Sequence, residues 1–413
     1  MEQQQYTVII PTRERADTLL HALRTCTSQD YDKLTILVSD NFSQDNTREV
    51  VESFDDSRIR YVNTGQRLSM SHNWEFALSQ ASDQGFVTYL GDDDGLLPNS
   101  VRDTDDIIQA TGLKAVNMNP APDFYLWPSY FNRQQANFMK VSFQRGTIIK
   151  QGKDELNRVL TCREDYLKLP FIYNSFVSME AVNQVKRITK TFFRSQIPDI
   201  YSGIALANTI GPYVLSNRRL RLSGASSHST GMSQFNYNTN SKSMDTFASE
   251  PNIPFHQALR YCPSYSYLIA ESFMQSFDAG LNADEQLAFN WLPFIRTAIK
   301  EANTKFLPQR DSIISATRHI ADVNHLDTEQ IERLINGSRS RLSNIILYDL
   351  QRYAYPFLLI NAADYGVTNI YEACQLYRTV YENPAKFWLN SSTWIKMKQM
   401  LFGELSARYS SVN

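Results

Sequence analysis

The chain has 413 residues, more than one ordinary core accommodates, which predicts two domains. Its 41 basic and 43 acidic side chains nearly cancel, so no global field draws it to nucleic acid or an anionic membrane, and 42% hydrophobic content is that of a folded, soluble protein. Four widely spaced cysteines (Cys26, Cys162, Cys262, Cys374) without a Cys-x-x-Cys pair argue against a disulfide framework or zinc site.

The N-terminus, Met1 to Tyr6, lacks the basic and apolar regions of a signal peptide. No run reaches the ~18 apolar residues of a spanning helix. A cytoplasmic protein is expected. Tyr6 to Ile10 reads as a buried strand stopped by Pro11-Thr12. Thr18 to Thr27 has Leu19, Leu20, Ala22 and Leu23 at helical spacing, with Asp17 as the expected N-cap. Leu34 to Ser39 is the next strand, and Asp40 to Asn46 is dense in turn formers. Thr47 to Phe54 reads as a helix, Ile59 to Val62 as a strand and Met70 to Ser82 as a helix. Phe86 to Leu90 is the fourth strand. This alternation predicts a parallel, doubly wound α/β sheet, whose ligand crevice lies off the carboxyl ends of the strands.

The fourth strand runs into Gly91-Asp92-Asp93-Asp94-Gly95. Three adjacent carboxylates repel one another unless a positive charge sits among them. Oxygen-only ligands favour a hard ion, Mg²⁺ or Mn²⁺, that shares its carboxylates with substrate phosphates. A solvated acidic turn is the plainer alternative. No Gly-x-Gly-x-x-Gly and no Walker glycine-lysine loop follows the first strand, which argues against a dehydrogenase or an ATPase.

Val8-Ile9-Ile10-Pro11-Thr12-Arg13-Glu14-Arg15, Ile36 to Thr47 and Tyr89-Leu90-Gly91-Asp92-Asp93-Asp94, in this order, resemble the family 2 glycosyltransferases. The resemblance is close over about the first hundred residues. It implies a GT-A fold, a Rossmann-like mixed-sheet nucleotide-diphospho-sugar transferase domain, and inverting sugar transfer from a nucleotide diphosphate with Mn²⁺ or Mg²⁺. It places Pro11, Thr12 and Arg15 at the nucleotide and Asp40 at the base, uracil in the best-known members. Asn41 stands where many members have a second acid. Arg67 approximates a donor-facing basic residue, and His72-Asn73 begins a helix where many members have Arg-Asn. Asp92 and Asp93 are assigned to donor and metal, and Asp94 to metal. Either Asp93 or Asp94 is the principal ligand.

An inverting transferase needs a carboxylate opposite the leaving diphosphate. The resemblance points to Pro198-Asp199, where the family has Glu-Asp at a helix start. The helix dipole favours a charged Asp199, so its basicity is expected from desolvation by bound acceptor. Glu164-Asp165 is the rival, in what reads as a surface helix. His228, in the small-residue loop after Arg218-Arg219-Leu220-Arg221, is a candidate third metal ligand on a loop expected to close over the diphosphate.

The expected division is a GT-A domain over 1–232, a polar linker over 233–249 and an all-helical C-terminal domain over 250–413. Shaping the acceptor cleft, forming a homo-oligomer and docking peripherally on the inner face of the membrane all suit the last part. Trp394 to Phe402 mixes aromatic and basic residues as an interfacial helix does. The reading is a metal-dependent hexosyltransferase using a UDP-sugar and a glycan or lipid-linked acceptor in cell-surface polysaccharide assembly, with no nucleic acid partner. The rivals are a nucleotidyltransferase, disfavoured because Pro11 to Arg15 has no glycine, and a non-catalytic GT-A-like binding module.

Overall fold

The computed structural model describes residues 3–121, 123–228, 251–282, 287, 289–303, 305, 307–337 and 357–388. Its first four strands are Tyr6–Thr12 (β1), Leu34–Asp40 (β2), Ile59–Asn63 (β3) and Phe86–Tyr89 (β4). Ala16–Thr27 (α1), Thr47–Glu52 (α2) and Met70–Ser79 (α3) alternate with them. All four strands are parallel, with Ile9 opposite both Leu37 and Tyr89.

After Gly95–Leu96 (β5) come Ser100–Thr111 (α4), Ala115–Asn117 (β6), Phe124–Leu126 (β7), Phe138–Ser142 (β8), Thr147–Gln151 (β9) and Gly152–Leu160 (α5). Ser175–Ser178 (β10), Met179–Thr189 (α6), Pro198–Thr209 (α7), Pro212–Ser216 (β11) and Arg221–Ala225 (β12) follow. The main sheet has eight strands in the order β3-β2-β1-β4-β10-β6-β11-β9. It is mixed, as the GT-A expectation had it, rather than wholly parallel. β10 runs antiparallel to β4 and β6 because the chain enters it from the carboxyl end of β4, where the Ile172 carbonyl accepts Tyr89 N–H at 3.0 Å.

Both sheet faces are apolar, as covering helices on each side require. Val8, Ile10, Ile36 and Val38 pack with Leu19 and Leu23 of α1 and Ile108 of α4. Their alternates Ile9, Leu37, Val87 and Tyr89 pack with Trp74 of α3, Val182 of α6 and Tyr201 of α7.

Helices cover much of the C-terminal half: Tyr265–Asp278 (α8), Trp291–Ala302 (α9), Leu307–Val323 (α10) and Thr328–Gly337 (α11), around Phe294, Ile295, Ile313 and Ile320. The expectation that 250–413 is all helical needs one correction. Phe357–Asn361 (β13) pairs antiparallel with β8 at the end of a second sheet, β13-β8-β7-β12-β5. A five-residue run, Phe-Leu-Leu-Ile-Asn, is strand length and too short for a helix. Ile370–Glu382 (α12) then packs beside α1 and β5. Residues 233–249 and 394–402 lie outside the described residues.

Candidate active site

β1 runs to Thr12, two residues beyond the expected stop. Pro11 is tolerated in this central strand because β4 pairs with β1 only as far as Ile9. The Ile9 carbonyl faces β4 and that of Thr12 faces β2, so Pro11 turns toward the side where β4 has ended and its missing N–H costs no ladder bond. Thr12 Oγ1 donates to Asp92 Oδ2 at 2.9 Å, and Arg15 Nη1 to Asp92 Oδ1 at 2.9 Å. The loop after β1 is thus tied to the acid turn after β4.

The loops after β1 and β2 also hold each other. The Glu14 carboxylate accepts Gln44 N–H at 2.9 Å and Asp45 N–H at 3.2 Å, and Asp45 Oδ2 accepts Ala16 N–H at 3.1 Å. Asp45 therefore satisfies the start of α1. The expected N-cap, Asp17, lies one residue inside the helix, and Arg15 occupies the cap position without a side-chain cap bond.

Asp40 is buried, and its carboxylate accepts Ser43 N–H (2.9 Å), Tyr61 Oη–H (2.6 Å) and Asn63 Nδ2–H (3.0 Å). The Asn41 amide pairs with the Leu68 backbone, donating to its oxygen at 2.7 Å and accepting its N–H at 2.8 Å. These two residues hold the 61–68 segment against the rim, with the Arg67 side chain exposed. Asn73 is buried and accepts Ser39 Oγ–H at 3.1 Å. His72 is exposed, its Nδ1 2.8 Å from Ser69 Oγ at the start of α3.

Asp92, Asp93 and Asp94 are only 2%, 5% and 2% exposed. They do not form a solvated turn. Asp94 accepts Tyr173 Oη–H at 2.5 Å, Gly224 N–H at 2.6 Å and the Arg221 guanidinium. Burial raises the Asp94 carboxyl, and Arg221 works against that rise. Arg221 is itself fully buried, donates to the Tyr89 carbonyl at 3.2 Å and lies 4.5 Å from the Tyr173 ring centroid. The resemblance assigns Asp94 to a metal, but both its oxygens already have donors that a cation would have to displace.

Asp93 Oδ2 accepts the Ser226 N–H at 3.2 Å and the Ser226 Oγ–H at 2.8 Å, while its backbone oxygen accepts Trp127 Nε1–H at 3.0 Å. Burial lowers the Arg15 guanidinium, and Asp92 and then Asp93 outweigh it, so Arg15 stays firmly charged. The same guanidinium donates to the His228 carbonyl. The 226–228 loop thus reaches the acid turn through its backbone and Ser226, with the His228 side chain exposed. Among the described residues, no group of three or more His, Cys, Asp or Glu side chains is arranged to hold a metal ion.

Asp199 lies in the first turn of α7, behind Pro198. Burial pushes its carboxyl up to about 6, against backbone N–H donors that favour the charged form. The protein itself therefore supplies part of the desolvation expected from bound acceptor, with Asp199 half-buried. Ser202 Oγ donates to the Asp199 carbonyl at 2.7 Å and accepts Ile172 N–H at 3.1 Å. Tyr173, the next residue, holds Asp94. The segment Ile172–Tyr173 joins the Asp199 helix to the acid turn. The rival pair has other tasks: Asp165 accepts Leu167 N–H at 2.9 Å to cap a short 3-10 helix, Tyr166–Lys168, and Glu164 faces Arg158 at 3.6 Å.

Arg221 and Tyr173 were missed in the sequence. Arg221 carried a signal, a cation set between Leu220 and Leu222 in a run of strand length. Tyr173 carried none, because only the fold brings it to Asp94.

Residues 7–167 match the model of glycosyl transferase family 2. A 97-residue segment is 40% identical to GalNAc(5)-diNAcBac-PP-undecaprenol beta-1,3-glucosyltransferase of Campylobacter jejuni subsp. jejuni serotype O:2. That segment covers 23% of this chain and 31% of the relative, so the match spans under a third of that protein's length. Crystal structures of S. aureus TarS 1-349 resemble the chain at low score. The complex with UDP-GlcNAc gives a TM-score of 0.45 at 14% identity, covering 85% of this chain and 93% of that one. A second structure of TarS 1-349 gives 0.40 at 14% identity over 92% and 91%. A likeness of that size carries no residue across. With four parallel strands, a buried acid turn at their carboxyl ends and the family match over the same residues, the chain carries a glycosyl transferase family 2 domain.

Proposed function

We propose that the protein transfers a sugar, with inversion, from a nucleotide diphosphate donor to an acceptor hydroxyl. The observation that supports this reading best is the shared segment Ile172–Tyr173, which fixes a basic carboxylate, Asp199, relative to the acid turn. The Thr12–Arg15 loop, bonded to Asp92, is the proposed nucleotide side. Asp40 and Asn41 shape it through the 61–68 segment, and Arg67 faces the donor from there.

Two buried carboxylates, Asp92 and Asp93, suit a hard divalent cation. Their donors include the Arg15 guanidinium, the neutral Thr12 hydroxyl and the Ser226 hydroxyl and N–H. Asp94 is then the anchor of the turn, and His228 is carried beside it. Mg²⁺ or Mn²⁺ held there would neutralise charge developing on the departing diphosphate. Asp199 takes the proton from the acceptor hydroxyl as that oxygen bonds the anomeric carbon. The bond to the diphosphate oxygen breaks, and its electron pair leaves with the nucleoside diphosphate. A carboxylate poised near 6 is a better base than one at its ordinary 3.8.

A lipid-linked glycan is the acceptor class we favour, as the name of the Campylobacter relative suggests. No helix among the described residues is long and apolar enough to cross a membrane. The test is incubation with a panel of nucleotide sugars, Mn²⁺ and lipid-linked acceptors, reading nucleoside diphosphate release. The expected result is release that Asp199→Asn abolishes. Pyrophosphate formed from a sugar phosphate and a nucleoside triphosphate would instead mark a nucleotidyltransferase. Silence with every donor would mark a binding module.

A further inference from the structure

The six residues before α7, Phe192 to Ile197, are gripped from two sides. On one side, Ser71 Oγ of α3 donates to the Ser195 carbonyl at 2.6 Å, and the Glu75 carboxylate of the same helix accepts Phe192 and Phe193 N–H at 2.8 and 2.9 Å. On the other side stands the helical C-terminal region. Glu271 of α8 has a fully buried side chain and accepts Ser195 Oγ–H at 2.5 Å. Ser195, also fully buried, uses a lone pair of the same oxygen to accept Ile197 N–H at 3.2 Å. Gln275 Nε2 donates to both Glu271 Oε1 and the Pro254 carbonyl at 2.9 Å, and Gln196 Nε2 donates to the Ile253 carbonyl at 2.8 Å. Apolar contacts continue the grip, with Ile200 and Ile204 of α7 packed against Leu268 and Phe273 of α8.

A buried carboxylate is a costly way to hold a hydroxyl. It also does something a neutral acceptor does less firmly. The carboxylate fixes the direction of the Ser195 O–H, which leaves the serine lone pair aimed at Ile197 N–H two residues before Asp199. Burial raises the Glu271 carboxyl, and the Ser195 and Gln275 donors work against that rise. Resting on the reading of Asp199 as the base, we propose that Glu271 is a positioning residue for that base. It acts through Ser195 to set where α7 begins, which makes the C-terminal helices part of the transfer machinery. Glu271 does not touch donor or acceptor. Its effect falls mainly on the proton-accepting side, because the nucleotide side is built from β1, β2 and the acid turn, which α7 meets a turn later through Ser202 and the Ile172–Tyr173 segment.

The test compares Glu271→Ala, Glu271→Gln, Ser195→Ala and Asp199→Asn with the parent chain. It reads turnover with the donor found in the panel assay and the dissociation constant of uridine diphosphate in Mn²⁺. Glu271→Ala and Ser195→Ala are expected to lower turnover about 10- to 100-fold through a misplaced base, with uridine diphosphate affinity and donor KM unchanged. Glu271→Gln, which keeps an oxygen for the serine, should recover most of the turnover. Full turnover in Ser195→Ala overturns the inference, and so does a loss of uridine diphosphate affinity that matches the loss of turnover. If Glu271→Ala does not fold, the one-atom deletion in Ser195→Ala decides. An active Asp199→Asn would instead bring down the base assignment. A silent Asp199→Asn beside a fully active Ser195→Ala brings down this inference only.

Discussion

Asp199 combines a functional proposal with a stability cost. Its carboxyl is raised from 3.8 to about 6 because burial penalises the charge. A group with a raised folded-state pKa is protonated more readily in the folded chain, so the charge costs stability once the pH rises through that window. The cost is absent below about 4, where both states are protonated, and complete above about 6. Asp199→Asn should therefore stabilise the fold at pH 7.5, by at most about 3 kcal/mol, while abolishing transfer. Chemical denaturation at pH 7.5 and pH 4 checks this, since the gain should vanish at the lower pH. The wild-type turnover should fall as pH drops through about 6, where the base takes up its proton. Arg221 is the opposite case. Removing it leaves Asp94 buried beside Asp93 without its cation, so Arg221→Met should cost about 3–5 kcal/mol in denaturant unfolding. Arg221→Lys should recover only part of that, because an ammonium cannot reach the Tyr89 carbonyl and Asp94 together while sitting over the Tyr173 ring.

Strands and helices set the rim that those residues decorate. β12 approaches the acid turn so closely that a Cβ added at Gly224 would stand 1.7 Å from the Asp93 carbonyl oxygen. That neighbour is backbone, and it also accepts Trp127 Nε1–H, so it has little room to move. Gly224→Ala should push Asp93 out of place, costing about 1–3 kcal/mol of stability and weakening Mn²⁺-dependent nucleotide binding measured by calorimetry. The same substitution at Gly211, where a Cβ would meet nothing within 4 Å, is the control and should leave binding unaltered. The alternation of β1 to β4 with α1 to α3 was readable because each element carries its own period. The apolar runs are of strand length, and the helical repeats bury one face. Three of the later strands were not readable. β6 and β7 have three residues each and β5 has two, so their pairing partners rather than any local pattern make them strands.

The chain as a unit is less divisible than its composition suggests. Asp123, fully buried, accepts Ser142 N–H at 2.7 Å, Ser142 Oγ–H at 2.6 Å and Tyr377 Oη–H at 2.7 Å, so α12 is bolted to the second sheet. On the same face of α12, Ile370 and Cys374 lie against Gly95, the residue that closes the acid turn, where an added Cβ would stand 2.6 Å from Cys374 Sγ. A chain ending at residue 337 would lose β13 and α12. It should bind Mn²⁺ and uridine diphosphate at least about tenfold more weakly, a difference of about 1.4 kcal/mol, and unfold at a lower denaturant concentration than the full chain. Retained affinity would show that the acid turn stands without its C-terminal support.

The order of strand, helix and acidic turn in the first hundred residues was legible from the amino acids alone. Local periodicity and turn chemistry act between near neighbours, and the motif order carries the family resemblance with them. That Asp94 is an anchor held by Arg221 and Tyr173, that Asp199 is desolvated without any acceptor, and that residues 357–382 support the site could not be read that way. The anchor and the C-terminal support depend on groups 79 to 279 positions apart meeting in space. The hydrogen bonds and burial that set a carboxylate's charge and reach exist only once the chain has closed around it.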